Sequence, residues 1–143
     1  MCYAVFLSTT SPEFLSKYNF DAVSFVREAS AQEMDKPYLA MLNHSFKYFV
    51  STYGGCSCHF RHVEERDELF APPVDWSPED PEDVEATGKL YDLLLQIVSS
   101  GHRVDLIDVW NDDEVVEKIE VDLSTVPKEA FRLVNGVHMI FSK

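Results

Sequence analysis

The densest chemistry in this chain lies in Cys56-Ser57-Cys58-His59-Phe60-Arg61-His62, directly after Gly54-Gly55. Alternate residues of an extended segment project to one side, which sets the Cys56 and Cys58 Cα atoms roughly 7 Å apart and brings the sulfurs together if the strand bends or bulges. Two thiols so arranged can cycle between dithiol and disulfide, with Arg61 or a histidine favouring thiolate at one of them. They can equally offer two soft ligands to zinc, with Cys2, His62, His44 or His138 completing the shell where the fold brings one near. A plainer account is that both thiols pack as small hydrophobes against Phe49 and Phe60. Cys-x-Cys by itself lacks the second ligand pair that makes zinc patterns specific.

Asp108 is the other candidate for chemistry, because it sits between Ile107 and Val109 in an apolar run. A carboxyl on a covered strand face is desolvated, which raises its pKa and suits acid or base work; the alternative is a carboxylate that accepts backbone hydrogen bonds or faces solvent. Asp105, three residues earlier, falls on the opposite face. The catalytic candidates are therefore Cys56, Cys58 and Asp108, and the metal candidates are Cys56, Cys58, Cys2 and His62. Zinc is the ion that fits that set, although nothing in the sequence requires a cofactor. His44, His102 and His138 show no spacing that implies a shared site.

These residues depend on the elements around them. Residues 2–8 read as a strand with Tyr3, Val5 and Leu7 on one face and Cys2, Ala4 and Phe6 on the other, and residues 22–28 as a second strand. Residues 46–63 read as a hairpin, with Gly54-Gly55 supplying the positive φ angles of a two-residue turn. In that register Tyr53 faces Cys56, Ser51 faces Cys58, Phe49 faces Phe60 and Lys47 faces His62. Asp80-Pro81 has the form of an N-cap followed by proline, and the apolar spacing of Leu90, Leu93, Leu94, Ile97 and Val98 predicts one long helix over about 81–100, stopped by Gly101. Residues 103–110 and 114–123 read as strands joined by a turn at Asn111-Asp112-Asp113. A short helix near 126–131, a turn at Asn135-Gly136 and a last strand over 137–142 complete the chain. The expected fold is α+β in a single domain over 1–143. It has a mostly antiparallel sheet of about six or seven strands, the long helix packed on one face, and one or two short helices.

Composition narrows the partners. The chain of 143 residues carries a net charge of −13. Ten carboxylates against Arg66 alone occupy residues 64–85. Phosphate backbones and anionic membrane surfaces attract Lys and Arg patches, so neither nucleic acid nor a membrane is an expected partner. No apolar run approaches the roughly 18 residues of a span, residues 1–7 do not read as a secretory signal, and three cysteines fit a reducing compartment, so a cytoplasmic setting is expected. Phosphate-loop, dinucleotide and nucleophile-elbow motifs are missing from the sequence. The first expectation is an acidic binding or assembly module, with strand edges and the aromatic loop around Phe70 and Trp76 as contact surface and homodimerisation as one way to cover it. The second is a thiol-dependent redox enzyme, or a carrier of zinc or another soft metal, centred on Cys56 and Cys58.

Overall fold

A computed structural model of the chain describes residues 3–13, 15–19, 21–27, 38–53, 56–63, 79–110, 114–115 and 117–143. The expectations placed on Cys2, on Gly54-Gly55, on the loop with Phe70 and Trp76 and on the Asn111-Asp112-Asp113 turn lie outside these residues.

The strands are β1 (Tyr3–Thr9), β2 (Val23–Arg27), β3 (Phe46–Thr52), β4 (His62–Val63), β5 (Val104–Trp110), β6 (Glu117–Asp122), β7 (Leu133–Val134) and β8 (Val137–Ser142). Helices α1 (Tyr38–Met41) and α2 (Pro81–Ser99) and single 3-10 turns at Leu15–Tyr18, Leu123–Thr125 and Lys128–Ala130 accompany them. Six strands form one sheet in the order β2-β3-β1-β5-β8-β6, antiparallel except for β6 beside β8, and β4 pairs in parallel with β7. This is the expected α+β arrangement, with an additional small sheet.

Helix α2 forms where the local signals put it. The Asp80 side chain accepts a hydrogen bond from the Glu82 amide at 2.9 Å, Pro81 occupies the first turn, and Gly101 takes φ +88° after the last turn. Its buried face includes Leu90, Leu93, Leu94 and Ile97, and extends to Ala86, Thr87, Gly88 and Tyr91. The wider face follows from the segment between β6 and β8, which crosses α2: the Tyr91 hydroxyl lies 2.7 Å from the Val126 carbonyl, and the Tyr91 ring meets Phe131. At Gly88, where that segment passes, a Cβ would stand 3.0 Å from Lys128 Cε, near the end of a flexible side chain.

Residues in register share a face, so Val5, Leu7, Val50, Leu106 and Met139 pack toward α2 as the larger core. Phe6, Ile107 and Val109 form a smaller core on the reverse face with Tyr38 and Leu42.

Two pairings differ from the sequence reading. Residues 46–63 do not form a hairpin, because β3 already has a strand on each edge: β1 over Val5–Thr9 and β2 over Val23–Arg27. The Tyr53–Cys56, Ser51–Cys58, Phe49–Phe60 and Lys47–His62 pairings are replaced by a turn in which the Thr52 amide and hydroxyl both donate to the Cys56 carbonyl at 2.8 Å. Likewise β6 does not pair with β5, whose edges are taken by β1 and β8; it lies parallel to β8, reached through the 123–136 crossover. Among the described residues no helix is long and apolar enough to cross a membrane.

Candidate functional site

The two cysteines stand on a loop fastened by the residue between them. Where β1 and β3 part company beyond Val5 and Val50, Ser57 fills the fork. Its hydroxyl donates to the Val50 carbonyl at 2.5 Å and accepts from the Val5 amide at 3.0 Å, and its own amide donates to the Tyr3 carbonyl at 3.3 Å. Ser57 is fully buried, so these bonds satisfy backbone groups that would otherwise be stranded in the core. Cys56 and Cys58 flank it, both half-buried and both thiols, with their Sγ atoms 2.7 Å apart. Phe60 sits in the larger core, whereas Phe49 packs against the smaller one on the reverse face.

Next to the thiols, the loop docks on the first turn of α2. His59 Nδ1 lies 3.1 Å from Asp83 Oδ1 and 3.9 Å from Glu82 Oε2, and the His59 amide donates to Thr52 Oγ1 at 3.1 Å. Tyr53, at φ +48°, sets its ring edge-on to His59 and donates its hydroxyl to the Glu82 carbonyl at 3.2 Å. The Tyr53 hydroxyl is harder to ionise than usual, first through desolvation and then through the negative charge of Glu85, Glu82, Asp80 and Asp83. The side of the loop that carries Tyr53 and His59 is therefore acidic.

Beneath the loop, His62 ties it to the sheet. His62 Nε2 is 2.7 Å from the Ser57 carbonyl and Nδ1 is 2.6 Å from Asp108 Oδ2, while the ring stacks on Tyr3 at 3.6 Å. A carbonyl only accepts, so Nε2 is the nitrogen that donates to Ser57, and Nδ1 faces the Asp108 carboxyl. Asp108 is fully buried and the His62 side chain is 4% exposed, so the two form a buried pair rather than a solvent-facing acid and base. Arg61 fastens the other side of the loop. Its guanidinium grips Glu79 through two contacts of 2.5 and 2.6 Å and donates to the Glu129 carbonyl at 2.7 Å, and Arg132 reaches the same carboxylate at 3.1 Å. These cations hold the Glu79 carboxyl below the usual carboxylate range, the Arg61 hydrogen bonds contributing most.

Of the residues singled out from sequence, the fold brings Cys56 and Cys58 together and links them through Ser57 and His62 to Asp108. Cys2 lies outside the described residues. Both ring nitrogens of His62 are engaged, so in this arrangement it serves as a tie and offers no lone pair to a metal. His138 is on the reverse face, 2.6 Å from Asp105 Oδ2, and the His44 amide donates to Ser8 Oγ in the same network. Burial pushes the Asp105 carboxyl up, but hydrogen bonds from His138, Ser8 and the Asn43 amide outweigh it and hold the group below its ordinary value. Ser8, Asp105 and His138 are the residue types of a hydrolytic triad in the wrong order, since the serine bonds the carboxylate rather than the imidazole, and all three are buried. Two sulfurs sharing a tetrahedral zinc stand about 3.8 Å apart at Zn–S distances near 2.3 Å. The 2.7 Å observed is shorter than that separation. Among the described residues no group of three or more His, Cys, Asp or Glu converges as a metal cage.

Sequence reasoning missed Ser57, Thr52 and Tyr3 as the parts that hold the site. The available signal was a serine between two cysteines, a type able to bond backbone groups on both of its sides. Compared with protein-family models, curated proteins and solved structures, the chain matches none.

Proposed function

We propose that Cys56 and Cys58 form a thiol–disulfide couple that exchanges with disulfides of other molecules. The observation that carries this reading is the 2.7 Å approach of two half-buried sulfurs on a loop anchored from both sides. One thiolate attacks a sulfur of the partner disulfide and displaces the partner's first thiolate, leaving a mixed disulfide. The second cysteine, on losing its proton, attacks the first Sγ and displaces the remaining partner thiol. The protein gives up two electrons and two protons, and the partner disulfide becomes two thiols. Closing so short a ring constrains the unfolded chain little, about 1.6 kcal/mol for a three-residue loop, so the pair is poorly suited to be a structural staple. On this reading the protein works in the cytoplasm, where thiols are kept reduced between turnovers.

The test is reaction with 2-hydroxyethyl disulfide in a Cys2→Ser background, followed by intact-mass measurement. The expected product is a protein lacking two hydrogens, with Cys58→Ser halting at the mixed disulfide. Thiols that stay unmodified, or a wild-type loop that stops at the mixed disulfide, overturn the proposal. Unreactive thiols would return the balance to a binding or assembly module, and stoichiometric zinc lost on Cys58→Ser would favour the metal carrier.

A further inference from the structure

Resting on the thiol exchange proposed above, we infer that the couple selects disulfides carrying positive charge and disfavours anionic ones such as glutathione disulfide. Cys58 and His59 are neighbours in one turn, and the His59 ring touches Asp83 and Glu82. One peptide unit of 3.8 Å, the two side chains it joins and the 3.1 Å contact to Asp83 therefore separate the thiol from those carboxylates. That reach is on the order of the ~10 Å screening length at 0.1 M salt. The Tyr53 hydroxyl on the same loop already registers Glu85, Glu82, Asp80 and Asp83 together. Arg61 is the only Lys or Arg between Lys47 and Arg66, and it is buried with its charge committed to Glu79. Nothing on the loop itself thus offsets its acidic side, and the chain as a whole adds a net charge of −13. An incoming cation gains from this field and an anion is repelled, and the field acts on encounter before any bond is made. The exchange is the one already written, with a diamine disulfide such as cystamine as oxidant and two molecules of its aminothiol as product.

Three probes separate charge from intrinsic reactivity: cystamine, 2-hydroxyethyl disulfide and glutathione disulfide. Each is reacted with the Cys2→Ser protein, and each rate is divided by the same probe's rate with dithiothreitol, which removes differences in leaving group. At 20 mM salt the normalised cystamine-to-glutathione ratio is expected to be about tenfold or more, falling to within about threefold at 0.5 M as screening takes over. Glu82→Lys with Glu85→Lys is expected to lower the low-salt ratio at least about threefold. Glu82→Gln with Glu85→Gln supplies a milder pair should the lysines disturb the first turn of α2, checked by circular dichroism. Ratios near one at low salt, or ratios indifferent to these substitutions, overturn the charge selection while leaving thiol exchange in place. No reaction with any of the three overturns both.

Discussion

Replacing His62 should injure the protein far more than replacing its partner Asp108, and replacing both should restore much of the loss. In His62→Phe the ring remains to stack on Tyr3, but fully buried Asp108 is deprived of its imidazole contact and the Ser57 carbonyl of its donor. Removing one member of a buried ion pair commonly costs about 3–5 kcal/mol, because a desolvated charge is stranded. In Asp108→Leu the imidazole keeps Nε2–H on the Ser57 carbonyl and meets a side chain of similar volume, so a cost of about 1 kcal/mol is expected. In the double variant the stranded charge is gone, and what remains is the Ser57 carbonyl without its donor, about 1–3 kcal/mol. The coupling between the two sites should then reach about 3 kcal/mol. Urea unfolding measures it: at a slope near 2 kcal/mol per molar, His62→Phe lowers the midpoint by about 2 M and the double variant recovers about half of that. A single His62→Phe within about 1 kcal/mol of wild type, or strict additivity in the cycle, would refute the buried pair as the tie that holds the cysteine loop.

Acid should unfold the protein through two carboxylates in particular. Asp105 and Glu79 both have folded-state values below their ordinary 3.8 and 4.5. Their contribution is therefore complete above the unfolded values and is lost as pH falls through the lowered folded ones. Urea midpoints taken from pH 7 down to pH 3 should fall, and fall less steeply in Asp105→Asn; an unchanged slope would exclude that carboxylate as a source. Asp80→Ala removes the bond to the Glu82 amide and should cost about 0.5–2 kcal/mol in thermal unfolding, whereas Asp80→Ser should cost little. Gly88→Ala should be neutral or stabilising by up to about 1 kcal/mol, because the atom its methyl meets is the far end of the Lys128 side chain. A loss above 1 kcal/mol would mean that Lys128 cannot move.

The parts of the fold legible in the sequence are those specified by neighbours in the chain. Helix α2 carries its own start, its apolar spacing and its stop within residues 80–101, and the structure uses all three. The 46–63 hairpin was misleading for the same reason. Two β-rich arms about a diglycine are a strong local signal, but pairing is decided by competition, and β3 is claimed on both edges by strands that start about twenty residues or more upstream. The cysteine pair was legible because its spacing is local. Its supports were not: Ser57 joins Val5 across 52 positions, and His62 finds Asp108 across 46.

Strand β5 shows how much of that distant chemistry could have been anticipated. Its apolar run holds Asp105 and Asp108, and an odd spacing of three along an extended chain must send them to opposite faces. With both faces covered, each carboxylate requires a buried donor, and histidine is among the few side chains that supply one while remaining comfortable in a core. Asp105 finds His138 on the reverse face, and Asp108 finds His62 on the face toward α2. A slip of β5 by one residue would carry each carboxylate through the sheet and away from its imidazole, burying two charges among hydrocarbon. The same pair that steadies the cysteine loop therefore also fixes the register of β5 between β1 and β8, which links the geometry of the thiols to the central strands of the sheet.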